Sequence, residues 1–460
     1  MFWIVLFGSL VALVIVILVL TWALPHIARR MLWALLTRPM SDTLAELYVS
    51  LKSTPMMDFL YSSLRAQSGA VVIRPMGSAK PVHGFDDLAL VPGQLSRHPV
   101  LETESVHLET VLGSHCKTPL TFSMPLFISG MAYGLALNHA SRIALAEASG
   151  HTQIPLNSGQ GPFLAAERER AFRYILQFGR WAWNRDPEIL KQADMIEVQV
   201  GQGAMPGNAV LATPTAVGSD IRRLMHLKEG QAPIIHADLF LEDPTHPTPL
   251  SDVVAYLRSV TDGIPIALKM GAGDRLEEDI AVALEARVDV IVIDGTEGAT
   301  GNAPITLSDH FGIPSLYALV RARRYLDQHD PEHRIDLVIS GGFREPGDFL
   351  KAYALGARAV GLGTIVMFAL AHKQITQTVP MLPPTDLVFY RAKPQIPLDA
   401  QLAAQGVINF LTSCRKEMEI AIRTMGYTNV FDLKPSDLSA LDPEIARITG
   451  VHYAGDSRRS

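Results

Sequence analysis

From Pro125 onward the chain alternates short apolar runs with stretches of helical periodicity, and this alternation limits the fold more than any other feature. Strands separated by helical segments build parallel sheets, because a parallel pair needs a crossover connection. Eight such runs are present, at residues 126–129, 153–157, 195–200, 234–238, 265–269, 288–294, 337–340 and 359–363. A count of eight predicts a closed (β/α)₈ barrel, the TIM barrel, rather than an open doubly wound sheet. Most runs end in Gly, Ser, Asn, Lys or Asp, the residues that begin loops. In such barrels the site is built from those C-terminal strand ends.

The front of the chain is different. Residues 2–24 carry no charged side chain. About 23 residues at roughly 1.5 Å each span about 34 Å, enough for a hydrocarbon core of about 30 Å. Trp3 and Trp22 lie near the two ends, at interfacial depth. No basic residue precedes the run and no small-x-small cleavage site closes it, so a retained transmembrane helix is expected rather than a removed signal. His26, Arg29, Arg30 and Arg38 follow it. That bias predicts a single-pass membrane protein with its large C-terminal part in the cytoplasm. The expected organisation is an anchor over 1–25 and a helical then irregular lead-in over 26–100. A barrel over 101–375 and a helical C-terminal extension over 376–460 follow. Within the lead-in, Leu32, Leu35, Leu36, Leu44, Leu47, Tyr48 and Leu51 recur at amphipathic spacing, suited to a membrane surface or to plain packing.

Composition excludes several classes. The formal charge of −6 comes without a long basic run, which argues against nucleic acid as a partner. Cys116 and Cys414 are the only cysteines, too few for the thiolates of an iron–sulfur cluster and too far apart for a disulfide framework. No His, Cys and Asp cluster shows metal-ligand spacing, and no Gly-x-Ser-x-Gly elbow is present.

The chemistry-bearing strings sit at strand ends. Ser340-Gly341-Gly342-Phe343 and Gly361-Leu362-Gly363-Thr364 close the seventh and eighth runs. Barrels form phosphate sites there, from backbone N–H groups and the start of a helix. Glycine lets the backbone approach the anion, although tight turns in a packed barrel use the same strings. Lys269 closes the apolar run Pro265-Ile266-Ala267-Leu268. An inward lysine must be paired or serve a ligand, since an unpaired buried ammonium is costly; a snorkelling or structural lysine fits the spacing equally well. The glycine-rich strings Ser129–Gly134, Gly201–Ala204 and Asp294–Gly301 suit ligand-contacting loops.

Taken in order, these strings resemble the FMN-binding domain of glutamate synthases and their stand-alone relatives, over residues 100–430. Pro125-Leu126-Phe127-Ile128-Ser129-Gly130-Met131-Ala132-Tyr133-Gly134 resembles the first strand and the turn under the flavin. Asn157-Ser158-Gly159-Gln160-Gly161 is similar to the family's Asn- and Gly-rich loop. Gly201-Gln202-Gly203-Ala204-Met205-Pro206-Gly207, the Lys269 strand, Ile293-Asp294-Gly295 through Ala303-Pro304, and the two glycine turns complete the set.

The resemblance implies bound FMN, whose reduced N5 delivers a hydride to an imine of a 2-oxo acid. It implies that Ser129, Gly130, Met131 and Ala132 carry the ring and that Lys269 faces its N1/O2 edge as the catalytic group. Ser340, Gly341, Gly342, Gly361, Leu362, Gly363 and Thr364 are then expected to hold the phosphate. Asn157, Ser158, Gln160, Gln202, Gly203, Glu297 and Thr300 are expected on the substrate side. Three departures stand out. The segment Phe368-Ala369-Leu370-Ala371-His372-Lys373-Gln374 lacks the family's cysteines, so no iron–sulfur cluster is expected. Met205 replaces a lysine suited to a dicarboxylate, and Gln160 replaces a glutamate. No N-terminal cysteine is present to hydrolyse glutamine. The reading is an FMN oxidoreductase on a small 2-oxo or amino acid, with electrons and ammonia from partner proteins or solution. The alternatives are an FMN barrel of different redox chemistry and a non-catalytic flavin-binding membrane protein.

Overall fold

The computed structural model describes residues 2–457 apart from Leu44, Ala79, Ala299, Gly301, Asn302 and 391–395. Of the sequence features above, Leu44, Ala299, Gly301, Asn302 and the side chain of Trp3 therefore lie outside the described residues. The chain divides into two compact units, Met1–Val72 and Ile73–Ser460, so the lead-in over 26–100 falls partly in each.

In the first unit a helix runs from Phe2 to Thr37, through Pro25 and past the end of the charge-free run. Its segment Leu10–Thr37 is long and apolar enough to cross a membrane. Two further helices, Ala45–Ser53 and Met56–Ser68, follow.

The second unit is built on a closed barrel of eight parallel strands. In chain order these are β1 (Leu126–Ile128), β2 (Pro155–Asn157), β3 (Arg173–Gly179), β4 (Met195–Gln199), β5 (Ile266–Gly271), β6 (Val290–Asp294), β7 (Asp336–Ser340) and β8 (Ala359–Leu362). Each pairs with its neighbour in sequence, and β8 closes on β1 with Val360 opposite Leu126.

The number eight holds, but one strand is exchanged. The sequence run at 234–238 yields only Ile234–Ile235, which pairs antiparallel with Val210–Leu211 in an excursion between β4 and β5. The true third strand, Arg173–Gly179, was passed over. It follows β2 after a connection whose only helix is four residues long, Ala165–Arg168, so the 3.6-residue period that marks a crossover is missing. Gly201–Gly207 thus follows the fourth strand, not the third.

Alternation along each strand sorts the core into two shells. Outward residues such as Leu176, Ile196, Leu268, Ile293 and Ile339 pack beneath the helices. Inward residues Phe127, Ile175, Met195, Ala267, Val290, Val292, Val338 and Ala359 fill the lower barrel. A hairpin of Thr110–Leu112 and Leu120–Phe122 closes the N-terminal end, adding Leu112, Leu120 and Phe122 to that cluster. Gly113 within it donates from its amide to Asp336 at the start of β7 (2.7 Å).

At the C-terminus the helix Ala400–Thr424 packs on the helices His139–Thr152 and Thr364–Ala371. The extension is not helical throughout. Leu438–Ala440 pairs antiparallel with Leu88–Leu90 and ties the lead-in to the end of the chain.

Candidate active site

Above the apolar layer the inward positions turn polar or lose their side chains. Ser129 on the loop after β1, Asn157 on β2, Gln177 on β3, Glu197 and Gln199 on β4, Lys269 on β5, Asp294 on β6 and Ser340 on β7 form this upper layer, all buried. On β8 the inward position is Gly361. A Cβ there would lie 2.6 Å from Ser129 Oγ and 3.0 Å from Phe127 Cζ, so only glycine fits.

Over this layer opens a cavity of about 1030 Å³. Its walls come from the C-terminal strand ends, from lead-in residues such as Met76, Lys80 and Phe85, and from Thr385, Phe389 and Tyr390. Polar groups converging on a concavity of this size mark a candidate small-molecule site.

One side of the cavity is a backbone cradle. Gly341 and Gly342 both adopt left-handed φ, +105° and +81°, which a side chain would strain. The turn is fixed from below, because Ser315 Oγ donates to the Gly341 carbonyl (2.7 Å). The Ser315 amide donates to Glu297 Oε2 (2.9 Å), and Ser315 Oγ lies at the same distance from that oxygen. Burial raises the Glu297 carboxyl above its ordinary range, and these hydrogen bonds oppose the rise. On the adjacent strand Gly363 caps the N-terminus of the helix Thr364–Ala371, and a Cβ at Gly363 would meet nothing within 4 Å. A helix start beside glycine turns is an arrangement that can hold an anion.

Lys269 stands on the other side. It is 4 % exposed and lines the cavity, and its ammonium has no hydrogen bond or ion pair among the described residues. An ammonium that faces a cavity without a protein partner can meet an anionic or polar ligand there.

The loop after β1 is held by a buried ion pair. The Arg142 guanidinium donates to the Met131 carbonyl (2.7 Å), the Asn157 carbonyl (3.0 Å) and Glu167 Oε2 (2.7 Å). Burial works against the Arg142 charge, but the Glu167 carboxylate beside it holds its pKa above the ordinary value.

Of the residues singled out by sequence, Ser129, Gly130, Met131, Ala132, Lys269, Ser340, Gly341, Gly342, Gly361, Gly363 and Thr364 line this one cavity, as do Gln160, Gln202, Glu297 and Thr300. Four others do not. Leu362 has the opposite parity to Gly361 and Gly363 and is fully buried under the helices. Asn157 lies beneath the cavity floor and donates to Glu197 Oε1 (2.9 Å). Ser158 Oγ accepts from the Gln177 amide (2.9 Å), and Gly203 N donates to Asp294 Oδ2 (2.9 Å).

Sequence reasoning missed Gln177 and Glu197, the centre of the upper layer, where Gln177 Nε2 donates to Glu197 Oε1 (2.7 Å). The signal was there, since Gln177 and Glu197 interrupt apolar runs with strand parity. It also passed over Arg344, which lines the cavity next to the Gly341–Gly342 turn. A grouping absent from the sequence reading lies at the opposite barrel end, where ligand atoms of His115, Cys116 and Asp289 fall within 4.8 Å of one another. Arg258 Nη2 occupies the Asp289 carboxylate there (2.8 and 2.9 Å), as does the Ile266 amide (2.8 Å).

Comparison with known proteins gives a consistent picture. The model of the conserved region in glutamate synthase matches residues 93–428. A glutamate synthase large subunit-like protein of Rhizobium meliloti (strain 1021) is 29 % identical over 430 residues, covering 88 % of this chain and 96 % of the relative. An archaeal glutamate synthase [NADPH] of Methanocaldococcus jannaschii is 26 % identical, covering 85 % of this chain and 82 % of that one. Among solved structures, a flavocytochrome b2 mutant with benzoylformate superposes with a TM-score of 0.50 at 17 % identity, covering 81 % of this chain and 80 % of that one. The monotopic membrane protein (S)-mandelate dehydrogenase gives 0.50 at 15 % identity, covering 77 % and 89 %. At such identities these two structures speak to the fold alone.

Proposed function

Because this chain belongs to the glutamate synthase family, we propose that it is an FMN-dependent oxidoreductase acting on the carbon–nitrogen centre of a small imine, 2-oxo acid or amino acid. The observation that carries the reading is the placement of two glycine turns and an unpartnered buried lysine around one cavity. The residues present fit the cofactor. The Gly341–Gly342 turn and the start of the helix Thr364–Ala371 offer amide donors to a phosphate, and Gly363 leaves the approach open. Arg344 beside them adds a cation. Ser129 Oγ, buried without a partner, is available to a ligand above the barrel.

When bound, FMN supplies a two-electron carrier that can give or take a hydride. The chain's own groups do the rest. The loop 129–132, held by Arg142, would support the flavin from the β1 side. Lys269 would offer it a fixed positive charge, and preorganised charge of this kind stabilises an anion as it develops. Gln160 and Gln202 provide neutral hydrogen-bonding groups for substrate. Met205, also in the wall, offers no charge, so the reading favours a less acidic substrate than a dicarboxylate. Glu297, with Ser315 on one carboxylate oxygen, is assigned to shaping the Gly341–Gly342 turn.

Electrons and ammonia are assigned to partner proteins or solution. The charge-free run 2–24 of the helix Phe2–Thr37 is assigned as a single membrane span, and the basic residues Arg29, Arg30 and Arg38 after it favour a cytoplasmic barrel. The test is spectroscopic. The detergent-purified protein is expected to be yellow and to release FMN on denaturation, and a colourless protein that does not take up added FMN would overturn the reading.

A further inference from the structure

Between β4 and β5 the chain makes an excursion whose two short strands, Val210–Leu211 and Ile234–Ile235, form an antiparallel hairpin. Its register sets Ile235 opposite Val210, and two residues further on the Ala212 amide donates to the Pro233 carbonyl (3.3 Å). Side chains alternate across a strand, so Val210 and Ala212 share one face with Pro233 and Ile235. All four line the cavity, and so does Met205 earlier in the excursion. None of the five carries a charge or a side-chain hydrogen-bond donor. Among the described residues, the cations in the cavity wall are Lys80, Lys269 and Arg344, and none belongs to the excursion. In a ring of eight strands β4 stands opposite β8, so this apolar wall lies across the barrel from the helix start after Gly363.

One side chain fixes the hairpin at both ends. Arg180, buried on the loop after β3, donates from Nη1 to the Gly207 carbonyl (2.8 Å), ahead of the first strand. The same nitrogen donates to the Ala237 carbonyl (2.9 Å), beyond the second, and the His236 amide donates to the Arg180 carbonyl (2.7 Å). A guanidinium presents its donors in a rigid plane and can hold two chain segments at once.

We infer that the substrate of this site carries an apolar side chain, seated against Val210, Ala212, Pro233 and Ile235, and that Arg180 is the positioning residue that holds this face over the cavity. The chemical class is a 2-oxo acid or amino acid with a branched aliphatic or aromatic side chain. An apolar group gains by leaving water against such a wall, whereas a carboxylate pressed there loses hydration with no donor to replace it. Lys269, on the neighbouring strand β5, can meet one anion, which the proposed function assigns to the flavin. The inference rests on that reading for the reacting end of the substrate and deepens it by naming the other end.

The test uses the full-length protein in detergent, with flavin content recorded first. Affinities for 2-oxoisocaproate and 2-oxoglutarate are measured calorimetrically, and their ratio is the readout. The branched acid is expected to bind at least about tenfold tighter. Ile235→Ala shortens the wall and is expected to weaken 2-oxoisocaproate at least about threefold while leaving 2-oxoglutarate unchanged. Arg180→Met frees both ends of the hairpin and is expected to erase most of the preference at parental flavin content. An arginine that served stability alone would leave the ratio intact. Should Arg180→Met not fold, Arg180→Lys, which keeps the charge, decides in its place by a smaller loss of preference. Equal or tighter binding of 2-oxoglutarate, binding of neither acid, or an unchanged ratio in the folded variants would overturn the proposal. The branched-acid preference in a protein that takes no FMN would count against the proposed function and leave this wall standing. A flavin-loaded protein that prefers 2-oxoglutarate would do the reverse.

Discussion

Gly361 and Ser129 face each other so closely across the β8–β1 seam that a Cβ on Gly361 would lie 2.6 Å from Ser129 Oγ, whereas one on Gly363 would meet nothing within 4 Å. The two glycines therefore fail differently. Gly361→Val overpacks the barrel and is expected to cost on the order of 1–3 kcal/mol of stability, measured by chemical denaturation. Gly363→Val projects into the cavity; it should keep most of that stability and weaken FMN at least about tenfold, or about 1.4 kcal/mol. Full flavin occupancy in Gly363→Val would remove the phosphate site from this turn.

Lys269 supplies the second prediction, with two signs. Its side chain is largely buried, and its ammonium faces the cavity without a protein partner. Lys269→Met removes that unpaired charge, so the flavin-free protein should melt at a higher temperature than the parent. The FMN-loaded variant should show a lower reduction potential, because the charge opposite the reduced ring is gone. A shift of about 30 mV corresponds to about 1.4 kcal/mol for a two-electron couple. An unchanged potential in spectroelectrochemical titration would make Lys269 structural only.

Arg142 supports the ring-bearing loop without lining the cavity. Arg142→Met would leave the Glu167 carboxylate buried and uncompensated and two carbonyls without their donor. Breaking a buried pair from one side costs about 3–5 kcal/mol. Denaturant midpoints should fall accordingly and flavin content with them. A change below about 1 kcal/mol would show that water replaces the guanidinium.

Met205 tests substrate class. A charged hydrogen bond to a ligand contributes on the order of 1.5–3 kcal/mol, about tenfold to a hundredfold in affinity. With a panel of 2-oxo acids plus ammonium, Met205→Lys is expected to move kcat/KM toward 2-oxoglutarate by a factor in that range. A preference that does not move would place the distal end of the substrate away from Met205.

The last prediction is topological. With the charge-free run 2–24 inserted, a high-salt wash should leave the protein in the membrane fraction, and the barrel should be open to protease only from the cytoplasmic side. A chain beginning at Ala70 retains the whole second unit and should bind FMN in solution. Release of the full-length protein by salt alone would show that the helix is not inserted.

Local chemistry was legible where a residue's role depends on its immediate neighbours in the chain. Ser340-Gly341-Gly342, Gly361-x-Gly363 and Lys269 end strands, and a strand end with glycines or a lone cation is visible without any partner. Parity was also there to be used: with Gly361 and Gly363 inward, Leu362 must point outward, and it does. The alternation of strand-like and helical runs was enough to predict a parallel barrel, although one of the eight runs lies outside it. The long charge-free run was enough to specify an apolar helix.

Only the tertiary structure decided which runs pair. Ile234–Ile235 and Arg173–Gly179 both read as apolar segments, but one finds an antiparallel partner outside the barrel and the other two parallel neighbours within it. Strand choice rests on contacts between residues far apart in sequence, which no local pattern encodes. The same holds for the site. Asn157, Gln177 and Glu197 come from three strands, and what they do follows from hydrogen bonds between them. Glu297 lines the cavity, and what fixes its carboxylate there is Ser315, eighteen residues on. A sequence can specify which groups reach the open end of a barrel; which of them remain unpaired there, and so free for a ligand, depends on who else arrives.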